Sequence, residues 1–176
     1  PTDGRTLRVE LGGGSANASN GDSGGFGRAY ARATLYRPLP QRWYAQARLE
    51  LGQVFVPAGL EVPEALRFRA GGDDSVRGYA YRSLGPVTAG TIGSGNTLLT
   101  TSVEVARPMW SDMPTLWGAA FVDAGQAAAS LGALRPAVGV GAGVRWRSPV
   151  GPLKLDVARG LEVQQWRLHF SLGIVF

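Results

Sequence analysis

Apolar and polar side chains alternate with a period of two in eight separate stretches, the signature of half-buried strands. Residues 5–11 set Leu7, Val9 and Leu11 on one side and Arg8 and Glu10 on the other. Residues 26–37 carry small apolar groups on one face and Arg28, Tyr30, Arg32, Thr34 and Tyr36 on the other. Residues 42–55 oppose Trp43, Ala45, Ala47, Leu49 and Leu51 to Tyr44, Gln46, Arg48 and Glu50. The pattern returns in residues 98–107, 115–123 and 137–147, where Val138, Val140, Ala142, Val144 and Trp146 face away from Gly139, Gly141, Gly143, Arg145 and Arg147. Two more stretches complete it: residues 153–158, and a terminal one in which Leu168, Phe170, Leu172, Ile174 and Phe176 share a face.

The intervals predict the connections. Pro38-Leu39-Pro40-Gln41 reads as a tight turn, and residues 12–25, rich in Gly, Ser, Asn and Asp, as a long solvent loop. Residues 124–135 read as a connection of small side chains. Regular alternation stops over residues 56–96, broken by Pro57, Gly59 and Pro63, and a loop of that length in a small domain is usually functional or disordered. Strands joined by short turns pair antiparallel. The fold class is therefore all-β, an antiparallel barrel or sandwich. In a soluble version the polar face looks outward; in a membrane barrel it lines a wet interior. Trp43, Trp110, Trp146, Trp166 and Phe176 near strand ends favour the membrane version. Eight strands can close alone or form half of a larger barrel.

Composition narrows the function. The 18 basic residues exceed the 13 acidic ones by 5, but they are scattered singly and, Lys154 apart, are all Arg, which argues against a nucleic-acid partner. With no cysteine, neither a disulfide nor a thiolate metal site can form. His169 is the one histidine, so no multi-histidine metal site exists within the chain, and Ser171 beside it lacks the third group of a triad. Asp73 and Asp74 fall short of a calcium loop and read as solvated. Gly12-Gly13-Gly14 lacks the lysine of a phosphate loop. No catalytic residue, metal or cofactor is assigned. Beginning at Pro1 in what reads as mid-protein sequence, the chain is expected to be a fragment.

One polar stretch stands apart from the alternation: Gly71-Gly72-Asp73-Asp74-Ser75-Val76-Arg77-Gly78-Tyr79, continued by Arg82-Ser83-Leu84-Gly85-Pro86. Val76-Arg77-Gly78-Tyr79 resembles the signature of the inward-folding loop in the BamA/TamA superfamily of outer-membrane assembly barrels, and its flanks are most similar to the TamA branch. Phe121-Val122-Asp123-Ala124-Gly125 and Gly151-Pro152-Leu153-Lys154-Leu155-Asp156-Val157-Ala158 resemble the strand motifs that follow in that family.

The resemblance implies strands nine to sixteen of a sixteen-stranded transmembrane barrel over residues 1–176, with loop 56–96 folded inward and periplasmic POTRA domains outside the chain. It implies a loop anchor of Arg77, Gly78 and Tyr79 on Asp123. It further implies a lumen wall bearing Glu104, Phe121, Arg145, Arg147 and Asp156, and a terminal-strand signal of Phe170, Leu172, Gly173, Ile174 and Phe176. The implied activity is non-enzymatic insertion or secretion of β-barrel or autotransporter clients through a lateral seam in the bacterial outer membrane. Implied partners are outer-membrane lipid, the clients, and an inner-membrane or periplasmic protein reached through the missing domains. General outer-membrane assembly, two-partner secretion and a passive or structural pore are the alternatives.

Overall fold

The computed structural model describes residues 3–17, 21, 23–148 and 151–173. In chain order its strands are β1 (Gly4–Asn17), β2 (Ser23–Leu39) and β3 (Trp43–Phe55), then β4 (Val87–Thr88) and β5 (Thr91–Ile92) within the long loop. After the loop come β6 (Thr97–Pro108), β7 (Leu116–Ala128), β8 (Ala137–Ser148), β9 (Gly151–Gly160) and β10 (Gln165–Leu172). β4 and β5 pair only with each other, while the other eight form one antiparallel sheet ordered β1-β2-β3-β6-β7-β8-β9-β10. Across the long loop β3 and β6 still pair directly, from Tyr44 opposite Ala106 to Gln53 opposite Thr97. β1 and β10 are the sheet's edges.

The register carries each strand's pattern across to the next. Val122 stands opposite Val140, Val144 opposite Leu155, and Leu155 opposite Phe170, so the apolar residues share one face. A slip of one residue would turn a whole strand's apolar set to the polar side. That apolar face is uncovered: Leu7 is 72%, Leu11 81% and Leu168 68% exposed. A continuous apolar surface of this kind suits lipid rather than water. Trp43 opens β3, Trp110 lies in the turn after β6 and Trp146 nears the end of β8, so all three lie toward one end of the strands; Trp166, at the start of β10, lies toward the other. Phe176 falls outside the described residues. No described helix is long and apolar enough to cross a membrane.

The core lies between the polar side of the sheet and the long loop folded against it. Val62, Phe68 and Ala70 of the loop pack with Ala16, Val54, Leu98 and Ala127 of the wall. Val76 and Tyr79 form a second cluster with Ala137, and Leu84 touches both. Phe68 and Gly95 exchange two backbone hydrogen bonds of 2.8 Å, and Ala127 N–H donates to Leu84 O at 2.9 Å.

Two connections differ from the sequence expectation. Residues 12–25 are largely not a solvent loop, because β1 and β2 stay paired as far as Asn17 opposite Ser23. Ladder hydrogen bonds need no apolar side chain, so a glycine-rich ribbon continues the hairpin without alternation to reveal it. Likewise β7 runs on to Ala128 within the expected 124–135 connection. Ala127 and Ala128 are buried there, too small to mark a face.

Candidate functional site

The site begins with backbone shape. Gly71, Gly72 and Gly78 have φ of +107°, +98° and +92°, where a side chain is strained. Between them the chain makes a tight turn: Gly72 N–H donates to Val76 O at 3.1 Å, and Gly71 N–H to Ser75 Oγ at 2.7 Å. Arg48 of β3 donates to Ser75 O at 3.0 Å, holding that turn to the wall. Val76 thereby enters the core, fully buried, and Arg77 faces the sheet.

Arg77 meets three strands. Its Nε and Nη2 donate to the two oxygens of Asp123 on β7 at 2.7 and 3.0 Å, and its own backbone N–H adds a third bond to Oδ2 at 3.0 Å. Nη1 donates to Glu104 of β6 and to Asp156 of β9, each at 2.9 Å. The guanidinium carbon lies 3.3 Å from the centroid of the Phe121 ring. Asp123 is 1% exposed and Arg77 8%, so these are desolvated ion pairs. Burial alone would push the Arg77 guanidinium down; the bonds and charges of Asp123 and Glu104 outweigh it and hold it above its ordinary value.

Arg145 of β8 braces the same carboxylates. It donates to Glu104 Oε1 at 3.0 Å and Oε2 at 2.7 Å, and to both oxygens of Asp156. Two guanidiniums thus share Glu104 and Asp156, while Asp123 belongs to Arg77. Such planar, charge-assisted pairs fix orientation as well as energy. The arrangement fastens one segment to a wall.

Tyr79 is buried beside Arg77; its hydroxyl donates to Val138 O at 3.0 Å and accepts from Glu162 N–H at 3.3 Å. Gly78 lies against the end of β9, where a Cβ would come within 2.6 Å of Gly160 N. Reciprocally, a Cβ on Gly160 would sit 2.8 Å from Gly78 O and 2.9 Å from the Tyr79 ring. On β8, a Cβ at Gly139 would collide with Arg77 O, one at Gly141 would stand 2.5 Å from the Phe121 ring, and one at Gly143 would collide with Asp156. This file of inward glycines is the floor on which the loop and its carboxylates rest.

Arg77, Gly78, Tyr79, Asp123, Glu104, Phe121, Arg145 and Asp156 therefore meet at one place. Arg147 does not join them: its guanidinium stacks 4.6 Å from the Trp117 ring. Phe170 and Leu172 lie on the opposite, apolar face of β10, 61% and 48% exposed. Gly173 N–H donates to Pro152 O at 2.9 Å, while Ile174 and Phe176 lie outside the described residues.

Sequence reasoning missed Ser102, which accepts from Arg77 at 3.4 Å, and His169. His169 Nε2 accepts the Gly78 N–H at 2.9 Å, and its Nδ1 contacts Asp73, so Asp73 is not merely solvated. The available signals were slight: the chain's single histidine on the polar parity of a strand, and a serine two residues before Glu104.

A model of the Omp85 superfamily domain matches residues 1–176. The chain is 33% identical over 109 residues to outer envelope protein 80, chloroplastic, of Arabidopsis thaliana, covering 61% of this chain and 14% of that protein. Its fold is similar to the crystal structure of BamA from Haemophilus ducreyi lacking POTRA domains 1–3, with a TM-score of 0.73 at 21% identity. That likeness, one of fold, takes in 98% of this chain and 37% of the BamA chain. With the superfamily domain matched from end to end, the chain belongs to the Omp85 superfamily and has its place in an outer (envelope) membrane.

Proposed function

We propose that residues 1–176 are the carboxy-terminal half of a sixteen-stranded transmembrane barrel, β1–β3 and β6–β10 supplying strands nine to sixteen. Loop 56–96 is the inward-folding loop, and the amino-terminal strands and periplasmic domains belong to the rest of the protein. The whole protein inserts or secretes outer-membrane clients, β-barrels or autotransporters, through a seam between its first and last strands. It uses neither ATP nor covalent chemistry; client strand pairing and burial in lipid supply the driving force. The flanks of the loop motif, most similar to the TamA branch, support a place on that side of the superfamily. Its partners are membrane lipid, the clients, and an inner-membrane or periplasmic protein bound through the missing domains.

The observation that carries this reading is the desolvated clasp of Arg77 on Asp123, Glu104 and Asp156, which holds a long loop against the inner wall close to the last strand, β10. The test is site-specific photo-crosslinking in the full-length protein in native membranes. A benzophenone side chain at Ser171 on β10 is expected to capture nascent client strands, whereas one at Val140 on β8 is not. Ion conductance with no client adduct from β10 would establish a passive barrel instead.

A further inference from the structure

We propose that His169 is a positioning residue that latches the anchored loop to the edge strand by presenting an unprotonated ring nitrogen to the Gly78 amide. Arg77 fastens the loop to β6, β7 and β9 but makes no contact of this kind with β10. His169 supplies the missing attachment: 7% exposed on the polar side of β10, it accepts Gly78 N–H on Nε2 at 2.9 Å. A ring nitrogen that accepts a hydrogen bond carries no proton. In the neutral ring the proton therefore sits on Nδ1, and Nδ1 meets the Asp73 carboxylate. Asp73 thus selects the tautomer that leaves Nε2 free to accept, because the hydrogen bond made by one ring nitrogen fixes which of the two carries the proton.

The surroundings do not substitute for this contact. Asp156 stands opposite His169 on β9, but Arg77 and Arg145 already engage it. Lys154 of β9, Asp74 of the loop, Arg77 next to Gly78, Glu104 of β6, and Arg32 and Arg48 of β2 and β3 line one cavity with His169, and Arg167 on the histidine's own strand lines a second. None of the positive groups can accept an N–H. A doubly protonated ring would set N–H against the Gly78 N–H, so the latch belongs to the neutral ring alone. The loop turn from Gly71 to Tyr79 then touches the edge strand at both ends of one imidazole: Asp73 before Arg77, Gly78 after it. The contact stands on geometry; its bearing on client insertion rests on the function proposed above.

The test reads amide exchange at Gly78 in the full-length protein in nanodiscs. His169→Phe keeps a flat ring and removes the acceptor, and is expected to speed Gly78 exchange about tenfold. His169→Gln, whose side-chain oxygen reaches a similar position, is expected to restore slow exchange. Asp73→Ala, at an exposed position, releases the tautomer and is expected to speed exchange as well. Amides of β7 such as Val122 should not change in any variant. In 15N-histidine spectra the resonance lost in His169→Gln should show a protonated Nδ1 and a bare Nε2. Wild-type exchange in His169→Phe, or a proton found on Nε2, overturns the latch. Should His169→Phe fail to insert, Asp73→Ala and the nitrogen spectrum decide the matter. Client insertion is scored separately, so loss of the assembly reading would leave the exchange result standing.

Discussion

Arg77 converts a polar segment into a core element. Removing it leaves Asp123, 1% exposed, as an uncompensated buried charge, which costs about 3–5 kcal/mol. Arg77→Ala is therefore expected to destabilise the full-length barrel by about that much in reversible urea unfolding from lipid vesicles. Asp123→Ala leaves Arg77 paired with Glu104 and Asp156 and should cost less, and the double variant clearly less than the sum, since the two side chains form one unit. Additive losses would show that the pair is incidental. Arg77→Lys keeps the charge but not the two-pronged fit to Asp123 and should recover only part of the loss. These residues were legible because a short motif and strand parity pointed the same way. His169 was not, because its partners are a backbone amide 91 residues earlier and an aspartate on the same distant turn. Periodicity along a chain says nothing about what arrives from so far away.

At the scale of the element, the strands were legible wherever large side chains marked two faces, and illegible where both faces were small. The far ends of β1, β2 and β7 fall in the second class, built of Gly, Ser and Ala. On β8, by contrast, small residues on one face alone left the strand legible and give the loop its seat, because Gly139, Gly141 and Gly143 leave room for Arg77, Phe121 and Asp156. Gly160→Val is expected to lift the loop rather than distort β9, since its added atoms would meet Gly78 O and the Tyr79 ring. The cost should be about 1–3 kcal/mol, typical of overpacking. Limited proteolysis within residues 76–84 would detect it as new cleavage, and a loop that stays protected would show that the glycine floor can yield.

For the whole molecule, the decisive feature is a sheet whose apolar side has no protein cover and whose β1 and β10 edges have no strand neighbour among the described residues. Open edges template further pairing. Residues 1–176 expressed alone in detergent are accordingly expected to self-associate; sedimentation should find oligomers, and a stable monomer would mean that the eight strands close on themselves. Sequence alone could count the strands but not decide their closure, because pairing between the first and last strands leaves no mark on alternation.

The clasp also imposes a timetable. Arg77 is separated by 27 residues from Glu104, 46 from Asp123 and 79 from Asp156, and Gly78 by 91 from His169. Every partner emerges after the loop during synthesis, and the last lies on the last described strand. Contacts of such long sequence separation form late, once the chain between them has been ordered. Until β6, β7 and β9 are in place Arg77 has no carboxylates to meet, so the clasp closes only on a wall already built. The loop's docking is a completion signal: a wall lacking β10 can seat the arginine but must leave the Gly78 amide without its acceptor.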